Sequence, residues 1–385
     1  MTESKNTVKT DIKDEKPVRE PAFHIVKRDK MPFAKSFTVR LIAILASLIF
    51  SGIITIFLTK DNPISIYVTM FNGAFGMMPR VWVTLQQTVM LLGVSLAVTL
   101  AFKMRFWNCG AEGQVLIGGL AAAMCMFFIK DSIPEWLLIV TMIVASLAAG
   151  AIWGLIPAVF KANWGTNETL FTLMMNYVAI QAIEIFLKIA DKSGSNTVGP
   201  SLLKFGHFPT LLGQQYLLNI VIVAVLTFVV AVYLKRTKHG YEISVVGESE
   251  NTARYVGINV KKVIIRTMAI SGALGGLIGL LLVGGTSHSI DSNISAGRGF
   301  TAIMVSWLSK FNPYVMALVS LMLVVIQRGA EEVSTKFGLN LSFADIITGI
   351  ILFFIIGSEF FIQYKISLNK NNKLIAKFTN EKEVA

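Results

Sequence analysis

Of the 385 residues, 54% are hydrophobic and only 15% are charged, far below the roughly 25% charged residues of a soluble domain, which excludes a water-soluble globular protein. The formal net charge of +12 would suit nucleic acid, but the cations gather at the ends of apolar runs, a membrane pattern, so nucleic acid is not an expected partner. The two cysteines, Cys109 and Cys125, fall in or beside apolar runs and indicate no disulfide framework.

Residues 1–38 read as a polar cytoplasmic extension, disordered or weakly helical, without the apolar core of a signal peptide. Lys27, Arg28, Lys30, Lys35 and Arg40 precede the first apolar run and suit anionic lipid headgroups. A membrane domain follows over 39–362, with ten apolar runs: 41–58, 84–102, 113–129, 136–160, 169–187, 217–234, 263–285, 300–308, 314–326 and 346–361. Crossing about 30 Å of hydrocarbon takes roughly 20 helical residues, so 300–308 alone is a half-helix or part of a broken one. The expected fold is an all-α polytopic membrane protein of about ten transmembrane helices. Ten of the 35 Lys and Arg lie in residues 1–40 and five in the tail 363–385. By the positive-inside rule both termini are expected in the cytoplasm, together with the loop 236–262.

Polar side chains at membrane depth are the candidates for a substrate path. On the second run Gln87 shares a face with Thr84, Thr88 and Ser95. Asn108, Glu112 and Gln114 open the third run, and Asn167, Glu168, Thr172 and Asn176 line the start of the fifth. Amide and hydroxyl groups suit a neutral, hydroxyl-rich solute, because they donate and accept without trapping charge. The same groups serve equally as glue between helices. Glu112 and Glu168 stand at helix starts, where the dipole favours an acid.

Catalytic chemistry has no visible carrier. There is no G-x-x-x-x-G-K-[ST] phosphate loop, no H-E-x-x-H, and His24, His207, His239 and His288 are scattered. His288 and Asp291 share an outer loop, and neither they nor any other group read as a metal site. An ion-coupled secondary transporter would want an acid in mid-span, and only Glu184 comes near.

The segment 248–262 is a polar, helix-length island between two runs. Ser249 is placed to cap a helix, Glu250 to sit in its first turn, Glu250 and Arg254 to pair four residues apart, and Gly257 to stop it at positive φ. The result is a helix of about two turns, roughly 10 Å long. It reads either as an amphipathic connector or as a docking element. The run that follows carries Gly272/Gly276 and Gly275/Gly279, two overlapping G-x-x-x-G pairs that let helices approach closely. Glycine-rich turns open both the third run (107–117) and the eighth (295–303). Five spans apart, they would be oppositely oriented, as in an inverted-topology repeat.

Four segments, taken together, resemble a known family. Glu248, Glu250, Ala253, Arg254 and Gly257, followed by Ile258–Asn259–Val260, resemble the coupling loop of ABC importer permeases. Phe106–Trp107–Asn108–Cys109–Gly110–Ala111–Glu112–Gly113–Gln114 is similar to an element of the branched-chain amino acid, ribose and nucleoside superfamily, with Cys109 where isoleucine or a similar residue is usual. Gly165–Thr166–Asn167–Glu168 with Met174–Met175–Asn176–Tyr177, and Gly297–Arg298–Gly299–Phe300–Thr301–Ala302–Ile303, complete the set. The resemblance spans about 80–360 and implies a permease of the type II importer kind, not itself an enzyme, in a bacterial cytoplasmic membrane. It also implies a second permease chain, different from this one in sequence, two ATPase subunits that use ATP and Mg, and an extracellular substrate-binding lipoprotein. The form of the Asn108–Gln114 element implies a nucleoside as substrate, with a simple sugar of the ribose type as the alternative.

Overall fold

The computed structural model describes residues 23–28, 31–59, 62–129, 132–191 and 196–368. Its helices are α1 (Phe33–Thr59), α2 (Pro63–Phe75), α3 (Met78–Lys103), α4 (Ala111–Phe128), α5 (Glu135–Trp164), α6 (Glu168–Ala190), α7 (Leu217–Arg236), α8 (Lys238–Glu248), α9 (Glu250–Tyr255), α10 (Val260–Leu282), α11 (Arg298–Leu308), α12 (Pro313–Lys336) and α13 (Leu341–Gln363). Nine helices among the described residues are long and apolar enough to cross a membrane. The chain is an all-α polytopic membrane protein.

The count differs from the ten apolar runs in two places. The run 300–308 lies in α11, an 11-residue helix about 16 Å long, too short to span. A second short apolar helix, α2, precedes α3. At 13 residues it is far shorter than the roughly 20 a span needs, so it is not among the runs. α12 also runs ten residues beyond its apolar stretch, through Arg328, Glu331 and Glu332. These charges are matched within the bundle: Arg328 pairs with Glu331 at 2.8 Å and Arg80 with Glu332 at 2.9 Å. Pairing lets a helix carry charges that hydropathy alone would place at its end.

The chain divides into two compact units, 1–51 with 350–385 and 52–349. In the first, Arg40 pairs with Glu359 at 2.9 Å and the Phe50 ring lies 5.8 Å from Phe354. Here the extension departs from the expected disorder. Phe23–Lys27 (β1) pairs antiparallel with Tyr364–Leu368 (β2), Ile25 opposite Ile366. The hydrogen bonds of the tail strand supply the order that composition did not suggest. Residues 1–22 and 369–385, the remainder of the extension and tail, lie outside the described residues.

The second unit is built on α3 and α10. The second half of α3 is buried without interruption from Thr88 to Phe102. α10 packs its glycine face against α4 and α5. A Cβ at Gly276 would collide with the Ser146 carbonyl, and one at Gly272 with the Gly150 carbonyl. Gly118 and Gly119 of α4 approach Gly276 and Gly279 in the same way. Backbone-to-backbone contact of this kind supplies the dispersion attraction that holds helices together where lipid removes the hydrophobic drive. α10 ends in a π-helical turn, Val283–Ser287. There Thr286 accepts hydrogen bonds from the amides of Gln86 on α3 and Asn219 on α7.

Candidate substrate path and coupling segment

α4 begins part-way along its neighbours. Gln114 lies against Gly275, roughly 22 Å along α10 from Val260 at 1.5 Å per residue. The preceding loop, 104–110, therefore climbs into the bundle, and polar side chains hold it there. Thr172 Oγ1 accepts from Cys109 N–H (3.1 Å) and donates to Glu168 O (2.7 Å). Asn176 accepts from Gly113 N–H (2.8 Å) and donates to Cys109 O (2.9 Å). Asn108 accepts from Gly110 N–H (3.1 Å) and reaches Gln114 Oε1 at 3.4 Å. All five of Asn108, Glu112, Gln114, Thr172 and Asn176 are buried.

Glu112 does something different. Its Oε1 accepts from Gly297 N–H (2.9 Å) and its Oε2 from Gly299 N–H (2.7 Å). These are free amides at the start of α11, which any helix leaves without intrahelical partners. A carboxylate in the first turn of α4 thus caps α11 from 185 residues away in sequence. Both helix dipoles point their positive ends at it. Arg298 lies within electrostatic reach of this carboxylate and of Glu331 of α12. Its guanidinium donates to Ser295 O (3.0 Å).

The other candidates take plainer places. Asn167 caps α6, accepting from Thr169 N–H (3.1 Å) and Leu170 N–H (3.2 Å). Glu168 pairs with Lys161 at 2.7 Å. Gln87 is half-buried on α3, whereas its neighbour Gln86 turns inward to Thr286. The hydroxyls of Thr84, Thr88 and Ser95 donate to backbone carbonyls at 2.7–3.0 Å.

Between α5 and α6 lies a cavity of about 640 Å³ whose walls include Trp153, Thr166, Asn167, Phe171, Met174 and Met175. The Trp153 indole N–H and the Thr166 hydroxyl find no partner among the described residues. Both atoms are buried behind the wall, which is apolar where it is accessible; the Trp153 indole N–H points toward Gly113 of α4. Trp153 was not singled out by sequence because it sits inside an unbroken apolar run.

Residues 81–356 match the family model described as branched-chain amino acid transport system / permease component. The chain is a member of this permease family. It is 30% identical to the guanosine ABC transporter permease protein NupP of Bacillus subtilis, over 83% of this chain and 93% of that one. It is 28% identical to the glucose ABC transporter permease protein TsgB13 of Haloferax volcanii, over 89% and 92%. A third relative, the nucleoside ABC transporter permease protein NupB of Lactococcus lactis, is 29% identical over 76% and 84%.

In this permease the segment 248–262 forms α9 and the turn into α10. Ser249 Oγ accepts from Thr252 N–H (3.2 Å), and Glu250 meets Arg254 at 3.5 Å. Ala253 is buried and accepts Ile258 N–H at 2.9 Å, closing the turn over Gly257, whose φ is +82°. Glu248, Glu250 and Arg254 are exposed, and Tyr255 is 92% exposed. α9 is therefore anchored by one alanine and presents its charges and an aromatic ring outward.

Proposed function

We propose that the permease moves a nucleoside inward across the bacterial cytoplasmic membrane by alternating access, with both termini and α9 in the cytoplasm. Separate ATPase subunits use ATP and Mg and press on Glu248, Glu250, Ala253, Arg254 and Gly257. A second, different permease chain completes the path, and an extracellular binding protein delivers the solute. The outward-facing charges of α9 and the family membership support the coupling role.

The α5–α6 cavity is the observation that carries the nucleoside reading. A sugar path needs hydrogen-bonding walls for its hydroxyls. This wall offers Trp153 and Phe171 rings and methionines to a flat base, with only a few polar groups beside them. Two of the relatives carry guanosine or nucleoside in their names. As path residues beyond the cavity we propose Asn108, Glu112, Gln114, Thr172 and Asn176, with Gln87 on α3. A simple sugar is the second reading, favoured by the glucose permease relative. Competition decides between them. Uptake of labelled guanosine should be suppressed by excess unlabelled nucleosides and not by ribose or glucose. Suppression by the sugars alone would favour the second reading.

A further inference from the structure

α8 leaves α7 through a single residue, Thr237, whose hydroxyl donates to Tyr233 O (2.7 Å) and accepts from Gly240 N–H (3.1 Å). Two residues on, His239 is only 3% exposed. Its Nδ1 bonds the Tyr233 hydroxyl of α7, and its Nε2 lies 3.4 Å from the Thr267 hydroxyl of α10. Thr267 is fully buried. One imidazole therefore ties three helices together.

The tie stands at a mechanical junction. The far end of α8 rests on α3, where Gly247 abuts the Lys103 carbonyl, and α9 follows directly after Ser249. On α10, Thr267 lies one turn before Ser271, which donates to Ala97 O of α3 at 2.7 Å, and before the glycine face that packs on α4 and α5. An apolar contact lets helices slide past each other. Two directional bonds from one rigid ring hold register, because hydrogen bonds weaken steeply off axis. If the tyrosine hydroxyl donates to Nδ1, the neutral ring carries its proton on Nε2 and donates it to Thr267.

We propose that His239 is a positioning residue that transmits displacement of α8 and α9 to α10 through Tyr233 and Thr267. The inference rests on the ATP-driven reading above. It places the transmission on one side chain that the coupling motif does not contain.

The test uses the complete transporter, purified through a tag on this chain and reconstituted in lipid vesicles, with labelled guanosine moved per ATP hydrolysed as the readout. His239→Phe, Tyr233→Phe and Thr267→Val should each retain ATP hydrolysis while guanosine moved per ATP falls by about fivefold. The double variant Tyr233→Phe/Thr267→Val should be no worse than His239→Phe. A purely structural role would lower uptake and hydrolysis together and leave their ratio unchanged. An unchanged ratio in the variants overturns the proposal. Should His239→Phe fail to assemble, Tyr233→Phe and Thr267→Val, each lacking one hydroxyl, decide it alone. A wild-type transporter that takes up guanosine without hydrolysing ATP overturns the ATP-driven reading, and this inference with it.

Discussion

Glu112 and Glu250 are both first-turn carboxylates, yet they sit in opposite settings. Glu112 is buried and accepts two backbone N–H groups from another helix. Glu250 is half-exposed and meets only Arg254, four residues along its own helix. The first fixes where two helices start within the bundle. The second contributes little to the fold and is free to meet a partner. The same residue type, in the first turn of a helix, is structural where it is desolvated and available where it is wet.

Substitutions sharpen this contrast. The largest effect is expected from Glu112→Ala, which strips the cap from α11, leaves the Gly297 and Gly299 N–H groups without their acceptor and removes a negative charge within reach of Arg298. It should destabilise the permease by roughly 3–5 kcal/mol, seen as a large drop in the melting temperature in detergent. Gly276→Val should come next, at about 1–3 kcal/mol, because its side chain would force α10 away from Ser146. Thr172→Val keeps the shape and removes the acceptor of Cys109 N–H, so a loss of about 1–2 kcal/mol is expected, read by the same melt. Arg254→Ala should change stability by less than about 0.5 kcal/mol while reducing uptake strongly. If Arg254→Ala destabilised as much as Glu112→Ala, the contrast would fail.

Acidification offers a gentler probe. Burial, reinforced by the nearby Arg266 and opposed by Glu242, holds the His239 pKa below the ordinary histidine value. The folded state then binds fewer protons than the unfolded state. The stability contributed by the neutral ring is present above the unfolded pKa of about 6.5 and is lost as pH falls below it. The melting temperature of the wild type should therefore drop below that pH more steeply than that of His239→Phe.

Much of the fold was legible in the sequence because lipid imposes long apolar runs. Nine of the ten runs correspond to the nine long apolar helices. Ser249 and the Glu250–Arg254 spacing are local signals, so the α9 cap and ion pair could be read from a dozen residues. The junction at Glu112 could not. Its partners, Gly297 and Gly299, lie far away in sequence, and a carboxylate in a first turn looks the same whether it caps its own helix or another. α11 was legible as a short apolar run and a half-helix or part of a broken one, but its dependence on Glu112 was not. On α3, periodicity pointed to Gln87, whereas the amide buried in the bundle is that of Gln86, which reaches Thr286. Trp153 was hidden for the opposite reason, as one aromatic among many in an apolar helix. His239 carried no motif, and its role depends on two hydroxyls that only the packing of α7, α8 and α10 brings together.

The central claim is that this chain moves a nucleoside by way of α9 and a separate ATPase. The most direct measurement is guanosine uptake into vesicles holding the complete transporter, with ATP on the side of α9. Comparison is with the same preparation lacking ATP, and with Gly257→Pro, which cannot adopt the φ of +82° that closes the α9 turn. The account predicts uptake that requires ATP and is abolished by Gly257→Pro while affinity for the binding protein persists. Uptake by this chain alone, driven by an ion gradient, or normal uptake in Gly257→Pro, would contradict it.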